Sequence, residues 1–133
     1  RSDDTLNIAG KRIGPPEIEA ALTETGKVVD VAAIAAPDDI KGVAVVCVCV
    51  PAPGVTPDDA LVELLKNQVG EVVSKPFRPR EIHFVAALPK TRSMKTMRRI
   101  VRAAFLDEDP GDLSSVNNPE TIQPIAALRK EKP

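Results

Sequence analysis

The sequence predicts one α+β domain, in which a small N-terminal β-hairpin precedes a mixed sheet of roughly three strands flanked by helices. Apolar, β-branched runs alternate along the chain with segments of helical periodicity. Breaks rich in proline and glycine separate these segments. The length of 133 residues is enough for one hydrophobic core and short for two.

The first part of the chain predicts a hairpin, a helix and a strand. Apolar and polar residues alternate over residues 3–13, around a turn at Ala9 and Gly10. The Gly-Pro-Pro run at 14–16 predicts a helix start. Proline has no backbone N–H, and the N–H groups of the first helical turn have no partner within the helix. The helix continues over residues 17–22 and stops at Gly26. Residues 28–36 then predict a buried strand.

A second buried strand is predicted over residues 43–50, which are almost entirely valine, alanine and cysteine. Prolines at 51 and 53 end it, because proline cannot donate to the sheet. Cys47 and Cys49 would point to the same face of this strand. The single histidine is distant in sequence, so we favour buried free thiols over a metal site or a disulfide.

The middle of the chain predicts an amphipathic helix and a third strand. Thr56 is the expected N-cap, with Pro57 at the first helical position. Residues 81–85 alternate and predict the third strand. The helix is expected to bury one apolar face made of Leu61, Leu64, Leu65 and Val69.

The last helix of the domain is predicted over residues 95–106, with Met97, Ile100, Val101 and Ala104 facing inward. At Asp107 the composition changes to a stretch with few large apolar residues. We therefore predict a domain over residues 1–107 and an extended tail over residues 108–133. The tail is expected to end in a short helix around residues 120–130.

A cluster of positive charge lies in a chain whose net charge is only −1. It comprises Lys90, Arg92, Lys95, Arg98, Arg99 and Arg102, with no acidic residue among them. On a helix, Lys95, Arg99 and Arg102 would share one face. Charge alone fits a solvated basic surface or a nucleic-acid-binding module. The chain has three phenylalanines and no tyrosine or tryptophan, so it offers few aromatic side chains on which the bases of single-stranded nucleic acid could stack.

Two segments carry a family resemblance. Residues 89–99, Pro-Lys-Thr-Arg-Ser-Met-Lys-Thr-Met-Arg-Arg, resemble the lysine motif near the C-terminus of AMP-forming acyl-CoA synthetases. Residues 1–14 resemble the hinge motif of the same adenylate-forming superfamily. Residues 13–22 and 36–42 also match in order, so that the similarity covers residues 1 to about 107. Residues 111–119 resemble the acetyl- and propionyl-CoA synthetase branch.

The resemblance implies roles for residues that contact the nucleotide. Lys95 corresponds to the catalytic lysine of adenylation, where an ammonium stabilises charge that builds as a carboxylate attacks the α-phosphate of ATP. Arg1 corresponds to the arginine that holds the ribose of the adenylate. Arg12 corresponds to a contact near the acyl-adenylate that depends on the domain orientation.

It also implies a hinge and a CoA site. Asp3 corresponds to the hinge about which the domain turns between the two half-reactions. Ala9 and Gly10 correspond to the loop beside the CoA pantetheine, where a larger side chain would block the thiol. One face of the domain would thus serve adenylation and another would serve thioester formation.

The family further implies an acid–thiol ligase with ATP, CoA and a short-chain carboxylate as substrates. The expected partner is an N-terminal domain that carries the magnesium ligands. Arg1 leads directly into motif sequence, which predicts a piece of a longer chain. A lysine acetyltransferase and deacetylase acting on Lys95 are further expected partners. A related enzyme that uses a carrier-protein thiol instead of CoA is an open alternative.

Two positions depart from the family pattern. Met94 stands where a glycine usually precedes the lysine, and a positive φ there would strain methionine. Gly70 stands where acetyl-specific relatives often carry a basic residue for the CoA nucleotide. The absence of a signal-like start and of a long apolar stretch predicts a cytoplasmic protein without a membrane partner. The family resemblance implies that nucleic acid is not a partner.

Overall fold

The computed structural model describes residues 6–8, 11–38, 42–109 and 111–130. It confirms the α+β class, with a two-stranded hairpin and a mixed three-stranded sheet. The elements in chain order are β1 (Leu6–Ile8), β2 (Lys11–Ile13), α1 (Pro15–Thr23), β3 (Val28–Asp38), β4 (Gly42–Pro51), α2 (Asp59–Val72), β5 (Glu81–Phe84), α3 (Arg98–Leu106) and α4 (Ile122–Lys130).

The sheet has the order β3-β4-β5, so β4 is its central strand. Strands β3 and β4 pair antiparallel, whereas β4 and β5 pair parallel with Val46 opposite Glu81. A parallel pair needs a crossover connection, and α2 lies in the segment that supplies it. β5 ends at Phe84, one residue earlier than predicted, and the Val85 N–H still donates to the Cys49 carbonyl at 2.9 Å.

Side chains of β4 alternate between two cores, one on each face of the sheet. Val45, Cys47 and Cys49 pack with α1 and α2, whereas Val46 and Val48 pack with α3 and α4. Residues 44–49 are all buried, which explains why this strand is apolar throughout. The fold therefore has three layers, with helices on both faces of the sheet. The prediction of two buried free thiols is confirmed.

The predicted N-terminal hairpin is confirmed over its described residues, 6–8 and 11–13. β1 and β2 pair antiparallel with Leu6 opposite Ile13 and Ile8 opposite Lys11. The residues predicted to form its turn, Ala9 and Gly10, lie outside the described residues.

The start of α2 differs from the prediction. Asp58 rather than Thr56 is the N-cap, and its carboxylate accepts a hydrogen bond from the Leu61 N–H at 2.9 Å. A carboxylate satisfies this donor and also opposes the positive end of the helix dipole. Pro57 therefore precedes the helix instead of opening it.

Of the four residues predicted to form the buried face of α2, three are buried and one is not. Leu61, Leu65 and Val69 are buried, but the side chain of Leu64 is 44% exposed. The three buried residues repeat every fourth position and share a narrow stripe. Leu64 lies beside this stripe and faces away from the core.

The last helix of the predicted domain is also shorter than expected. α3 begins at Arg98, and Lys95 belongs to the preceding loop. The prediction that Lys95, Arg99 and Arg102 share a helical face is therefore wrong. Ile100, Val101 and Ala104 are buried as predicted, and Met97 is half-buried.

The tail is anchored on the core. A 3-10 turn at Pro119–Thr121 leads into α4, close to the short helix that was predicted. Ile125 and Leu128 of α4 are buried in the same core as Val101 and Phe105 of α3. Within the described ranges, no helix combines the length and the apolar character needed to cross a bilayer.

Candidate functional site

The most distinctive surface feature is a loop over residues 89–97, here called the lysine loop. Its two sides form a narrow antiparallel pair, with a bridge between Lys90 and Thr96. The Thr91 N–H donates to the Lys95 carbonyl at 3.0 Å, and the Met97 N–H donates to the Pro89 carbonyl at 3.0 Å. These bonds engage the backbone of residues 95–97, and this is why α3 starts only at Arg98.

A tight turn closes the lysine loop at its tip. The Met94 N–H donates to the Thr91 carbonyl at 2.9 Å, and the Lys95 N–H donates to the Thr91 hydroxyl at 3.1 Å. Met94 has φ of 70°, in the left-handed region that favours glycine. The condition under which methionine would be strained here, a positive φ, is therefore met. The turn accordingly holds Lys95 in place at the cost of backbone strain in Met94.

One carboxylate from the sheet ties down both sides of the lysine loop. Asp30 of β3 forms an ion pair with the Lys90 ammonium and accepts a hydrogen bond from the Thr96 hydroxyl at 3.3 Å. Lys90 and Asp30 have side chains only 18% and 24% exposed. The loop is therefore fixed to β3 by a partly buried charged contact.

A second carboxylate fixes the start of α3. Glu19 of α1 accepts from Arg98 at two points, with Nε at 2.6 Å and Nη2 at 2.7 Å. The same carboxylate accepts from the Ala33 N–H at 3.0 Å. Glu19 thus joins α1, β3 and α3 next to the lysine loop.

A third contact comes from the tail. The Asn118 side chain accepts from the Lys90 N–H at 2.8 Å and donates to the Leu88 carbonyl at 2.9 Å. Glu19, Asp30 and Asn118 were not predicted from the sequence as residues that hold the lysine loop and the start of α3. Their separation along the chain leaves no local pattern by which they could be found.

Pairing within the fold removes much of the positive charge of the cluster. Asp30 neutralises Lys90, and Glu19 neutralises Arg98. Arg102 contacts the Glu108 carboxylate at 2.7 Å and the Ala35 carbonyl at 3.1 Å. Lys95 and Arg92 are exposed, and neither forms an ion pair with any residue that the structure describes.

Lys95 borders an open cleft of about 440 Å³. Glu19, Asp30, Thr96 and Arg98 also line it, and both carboxylates are already engaged by cations. A fixed loop thus presents an exposed ammonium beside an open cleft. Such a group can stabilise negative charge on a partner that approaches from outside.

The other predicted site residues lie elsewhere. Arg12 is exposed and lines a separate cleft of about 640 Å³ with Glu17, Glu24 and Phe77. Ala20 borders both clefts, so α1 separates the surfaces that carry Arg12 and Lys95. Arg1, Asp3, Ala9 and Gly10 lie outside the described residues, and their roles stay predictions.

Gly70 lies at a third depression, of about 390 Å³, which Lys75 and Arg78 also line. A Cβ atom built on Gly70 would lie 3.9 Å from the Arg78 Cδ, an ordinary van der Waals distance. Packing therefore does not require glycine here.

Comparison with known proteins relates this fold and loop to one group of enzymes. Residues 17–95 match the family described as AMP-binding enzyme C-terminal domain. The acetyl-coenzyme A synthetase of Methanothrix soehngenii is 38% identical over 96% of the chain, and the propionate–CoA ligase of Salmonella typhimurium is 36% identical over 98%. The crystal structure of a Brucella canis acyl-CoA synthetase superposes with a TM-score of 0.75 at 36% identity, over 80% of the chain.

The fold and the lysine loop are those of a C-terminal domain of the AMP-binding enzyme class. The chain belongs to the AMP-binding enzyme C-terminal domain family. It spans about a fifth of each compared protein, namely 19% of the Methanothrix protein, 22% of the Salmonella protein and 20% of the Brucella chain. These relatives are acyl-CoA synthetases.

Proposed function

We propose that this chain is the lid domain of an ATP-dependent, AMP-forming ligase that joins a short-chain carboxylate to CoA. The observation that carries the proposal is the exposed Lys95 ammonium, held on a braced loop among cations that are mostly paired. The acetyl and propionate specificities named for two relatives support a short acyl chain. The acyl pocket itself would belong to the adenylate-binding domain.

The first half-reaction joins the carboxylate to AMP. A carboxylate oxygen attacks the α-phosphorus of ATP, the bond to the bridging oxygen breaks, and pyrophosphate leaves. Negative charge is shared between the attacking carboxylate and the phosphate oxygens. The Lys95 ammonium, placed between these groups, lowers the barrier by stabilising that charge more than it stabilises the separate substrates.

The second half-reaction uses another face of the domain. The CoA thiolate sulfur attacks the acyl carbon, and AMP leaves with the electrons of the broken C–O bond. Rotation about Asp3 would withdraw Lys95 and bring Ala9 and Gly10 to the pantetheine channel. Arg12 and Lys95 line clefts on either side of α1, an arrangement that suits alternate use. Arg1 would hold the ribose.

Magnesium would be held by the adenylate-binding domain. Among the residues that the structure describes, no group of three or more His, Cys, Asp or Glu side chains is placed to hold a metal ion. The carboxylates that line the same cleft as Lys95, those of Glu19 and Asp30, are engaged by Arg98 and Lys90. When bound, the ion would neutralise phosphate charge.

Lys95 is also accessible to a modifying enzyme. Its side chain is exposed, and the turn presents it at the tip of the loop. Acetylation by a lysine acetyltransferase would remove the positive charge and stop adenylation, and a deacetylase would restore it. The exposed Met94, 62% accessible, stands beside it and would enter any such recognition.

The test uses the polypeptide that carries this chain together with its adenylate-binding domain. Lys95→Ala should abolish exchange of pyrophosphate into ATP but preserve thioester formation from added acyl-AMP and CoA. Arg92→Ala is the matched control. Arg92 is the other exposed cation of the lysine loop that forms no ion pair with the described residues. Equal loss of both half-reactions in Lys95→Ala would overturn the proposal.

Two other functions were open from the sequence. The pairing of Lys90, Arg98 and Arg102 reduces the charge available to a nucleic-acid backbone. The resemblance of residues 111–119 to the acetyl and propionyl branch favours CoA over a carrier-protein thiol. A ligase domain accounts for the lysine loop and for the hinge motif together.

A further inference from the structure

The tail contacts the base of the lysine loop through a side chain that imitates a neighbouring strand. Asn118 accepts from the Lys90 N–H at 2.8 Å and donates to the Leu88 carbonyl at 2.9 Å. These two groups are what an adjacent strand would pair with. The backbone contributes as well, because the Asn117 N–H donates to the Lys90 carbonyl at 2.7 Å.

The contact lies at a position that controls the whole loop. Lys90 forms an antiparallel bridge with Thr96 at the base of the lysine loop, and the turn at Met94 closes the loop at its tip. Leu88, Pro89 and Val116 are buried, and Asn118 is half-buried. Hydrogen bonds between partly buried groups are costly to lose, because water cannot fully solvate the donor and acceptor that are left without a partner.

The tail is itself held against α3 on the other side of this contact. A Cβ atom built on Gly111 would lie 3.3 Å from Nη1 of Arg99, so the backbone of the tail passes close to that guanidinium. Two hydrogen bonds from Ser114, with help from Arg99, hold the pKa of Asp112 below its ordinary value. The segment over residues 111–118 is therefore anchored between α3 and the lysine loop.

From this geometry we infer that Asn118 is a positioning residue for Lys95. Its carboxamide fixes the backbone at Leu88 and Lys90, and the antiparallel pairing transmits that position to Lys95. The tail over residues 111–118 then acts as a brace that the adenylation step requires. The inference rests on the proposed function, because it concerns the same lysine.

The test compares Asn118→Ala with Asn117→Ala in the polypeptide that includes the adenylate-binding domain. The two residues are adjacent, but only Asn118 uses its side chain in the described contacts, and Asn117 contributes a backbone N–H that alanine keeps. Loss of two hydrogen bonds should lower the rate of pyrophosphate exchange about tenfold in Asn118→Ala. Thioester formation from added acyl-AMP should stay within about twofold, as should both reactions in Asn117→Ala.

A second readout does not depend on activity. Deuterium uptake by peptides that span residues 88–97 should rise in Asn118→Ala and stay unchanged in Asn117→Ala. Should Asn118→Ala fail to fold, Asn118→Asp decides in its place, because it keeps the size and the acceptor but loses the donor to Leu88. It should show the same selective loss and the same rise in uptake.

The outcomes separate this inference from the proposed function. If Lys95→Ala loses pyrophosphate exchange selectively but the Asn118 variants match Asn117→Ala, the positioning role is wrong and the proposed function stands. If the Asn118 variants lose both half-reactions equally, the residue is merely structural and the inference is overturned. If Lys95→Ala itself shows no selective loss, the proposed function fails.

Discussion

Arg98 and Glu19 form a two-point ion pair across 79 residues of sequence, at 2.6 and 2.7 Å. Their side chains are 26% and 15% exposed. Fork-to-fork geometry makes such pairs strong, and removal of one partner leaves the other charge partly buried. The pair joins α1 to the residue that follows the lysine loop.

Glu19→Ala should therefore destabilise the chain. It removes the carboxylate that accepts from the Arg98 guanidinium at two points and from the Ala33 N–H, and a loss of about 3 kcal/mol in the free energy of unfolding is expected. Glu17→Ala is the matched control on the same helix, where only an exposed first-turn carboxylate is lost, at about 0.5 kcal/mol. Urea unfolding measures both, and equal losses would contradict the assigned role of the pair.

Met94→Gly should stabilise the chain. Methionine at φ of 70° costs about 1–2 kcal/mol, which outweighs the extra entropy that glycine brings to the unfolded chain. The free energy of unfolding should rise by about 0.5–1 kcal/mol. Ser93→Gly, at the neighbouring position without positive φ, should instead lower it. A decrease in both variants would show that the turn stores no strain at Met94.

The two adjacent leucines of α2 should behave very differently. Leu65 is fully buried and Leu64 is 44% exposed. Leu65→Ala leaves a cavity and should cost about 2–5 kcal/mol, whereas Leu64→Ala should cost less than about 1 kcal/mol. Thermal or urea unfolding separates the two. Comparable losses would mean that Leu64 belongs to the core after all.

Stability should fall in alkaline solution because of the thiols of β4. Burial, followed by the nearby Glu19 charge, raises the pKa of Cys49 to about 12. Burial also raises the pKa of Cys47, with Cys49 and Glu19 adding to it. A thiol with a raised pKa in the folded state stabilises the protein below its ordinary pKa. That contribution is lost as the pH rises through about 9 toward 12.

Cys49→Ala should accordingly flatten the decline of the free energy of unfolding above pH 9. The difference in slope should be about 1.4 kcal/mol per pH unit. Val48→Ala opens a cavity on the other face of β4 without removing a titratable group, so it should keep the slope of the unaltered chain. Identical slopes for both variants would show that Cys49 does not titrate with unfolding.

Much of the fold was predictable because its signals are local. Residues 43–50 could only be a buried strand, and both cysteines lie on one face of it as alternation requires. The glycine usual at position 94 in the family raised the question of a positive φ there, and the structure answers it with φ of 70° at Met94. The start of α3 was not predictable, since periodicity favoured a helix from residue 95 and the competing hydrogen bonds to Thr91 and Pro89 depend on the folded loop.

The residues that hold the lysine loop and the start of α3 could not be predicted from the sequence either. Glu19 and Asp30 resemble ordinary acidic residues of a helix and a strand, and Asn118 resembles a loop residue. Asp30 and Asn118 contact the lysine loop, and Glu19 contacts the residue that follows it, only because α1, β3 and the tail converge there. The charge cluster therefore suggested a broad basic surface, whereas folding pairs half of its six cations with carboxylates and leaves Lys95 exposed.

The central claim is that the positive charge at position 95 drives adenylation, and chemical rescue tests it most directly. Lys95→Cys should lose pyrophosphate exchange in the polypeptide with its adenylate-binding domain. Cys47 and Cys49 are buried, and their raised pKa values keep them unreactive toward alkylation.

Alkylation of Lys95→Cys with 2-bromoethylamine restores an ammonium on a stem of nearly the same length. The account predicts that this treatment recovers pyrophosphate exchange, whereas alkylation with neutral iodoacetamide does not. The unaltered protein, treated in the same way, should keep its activity. Recovery with both reagents, or with neither despite complete alkylation, would contradict the account.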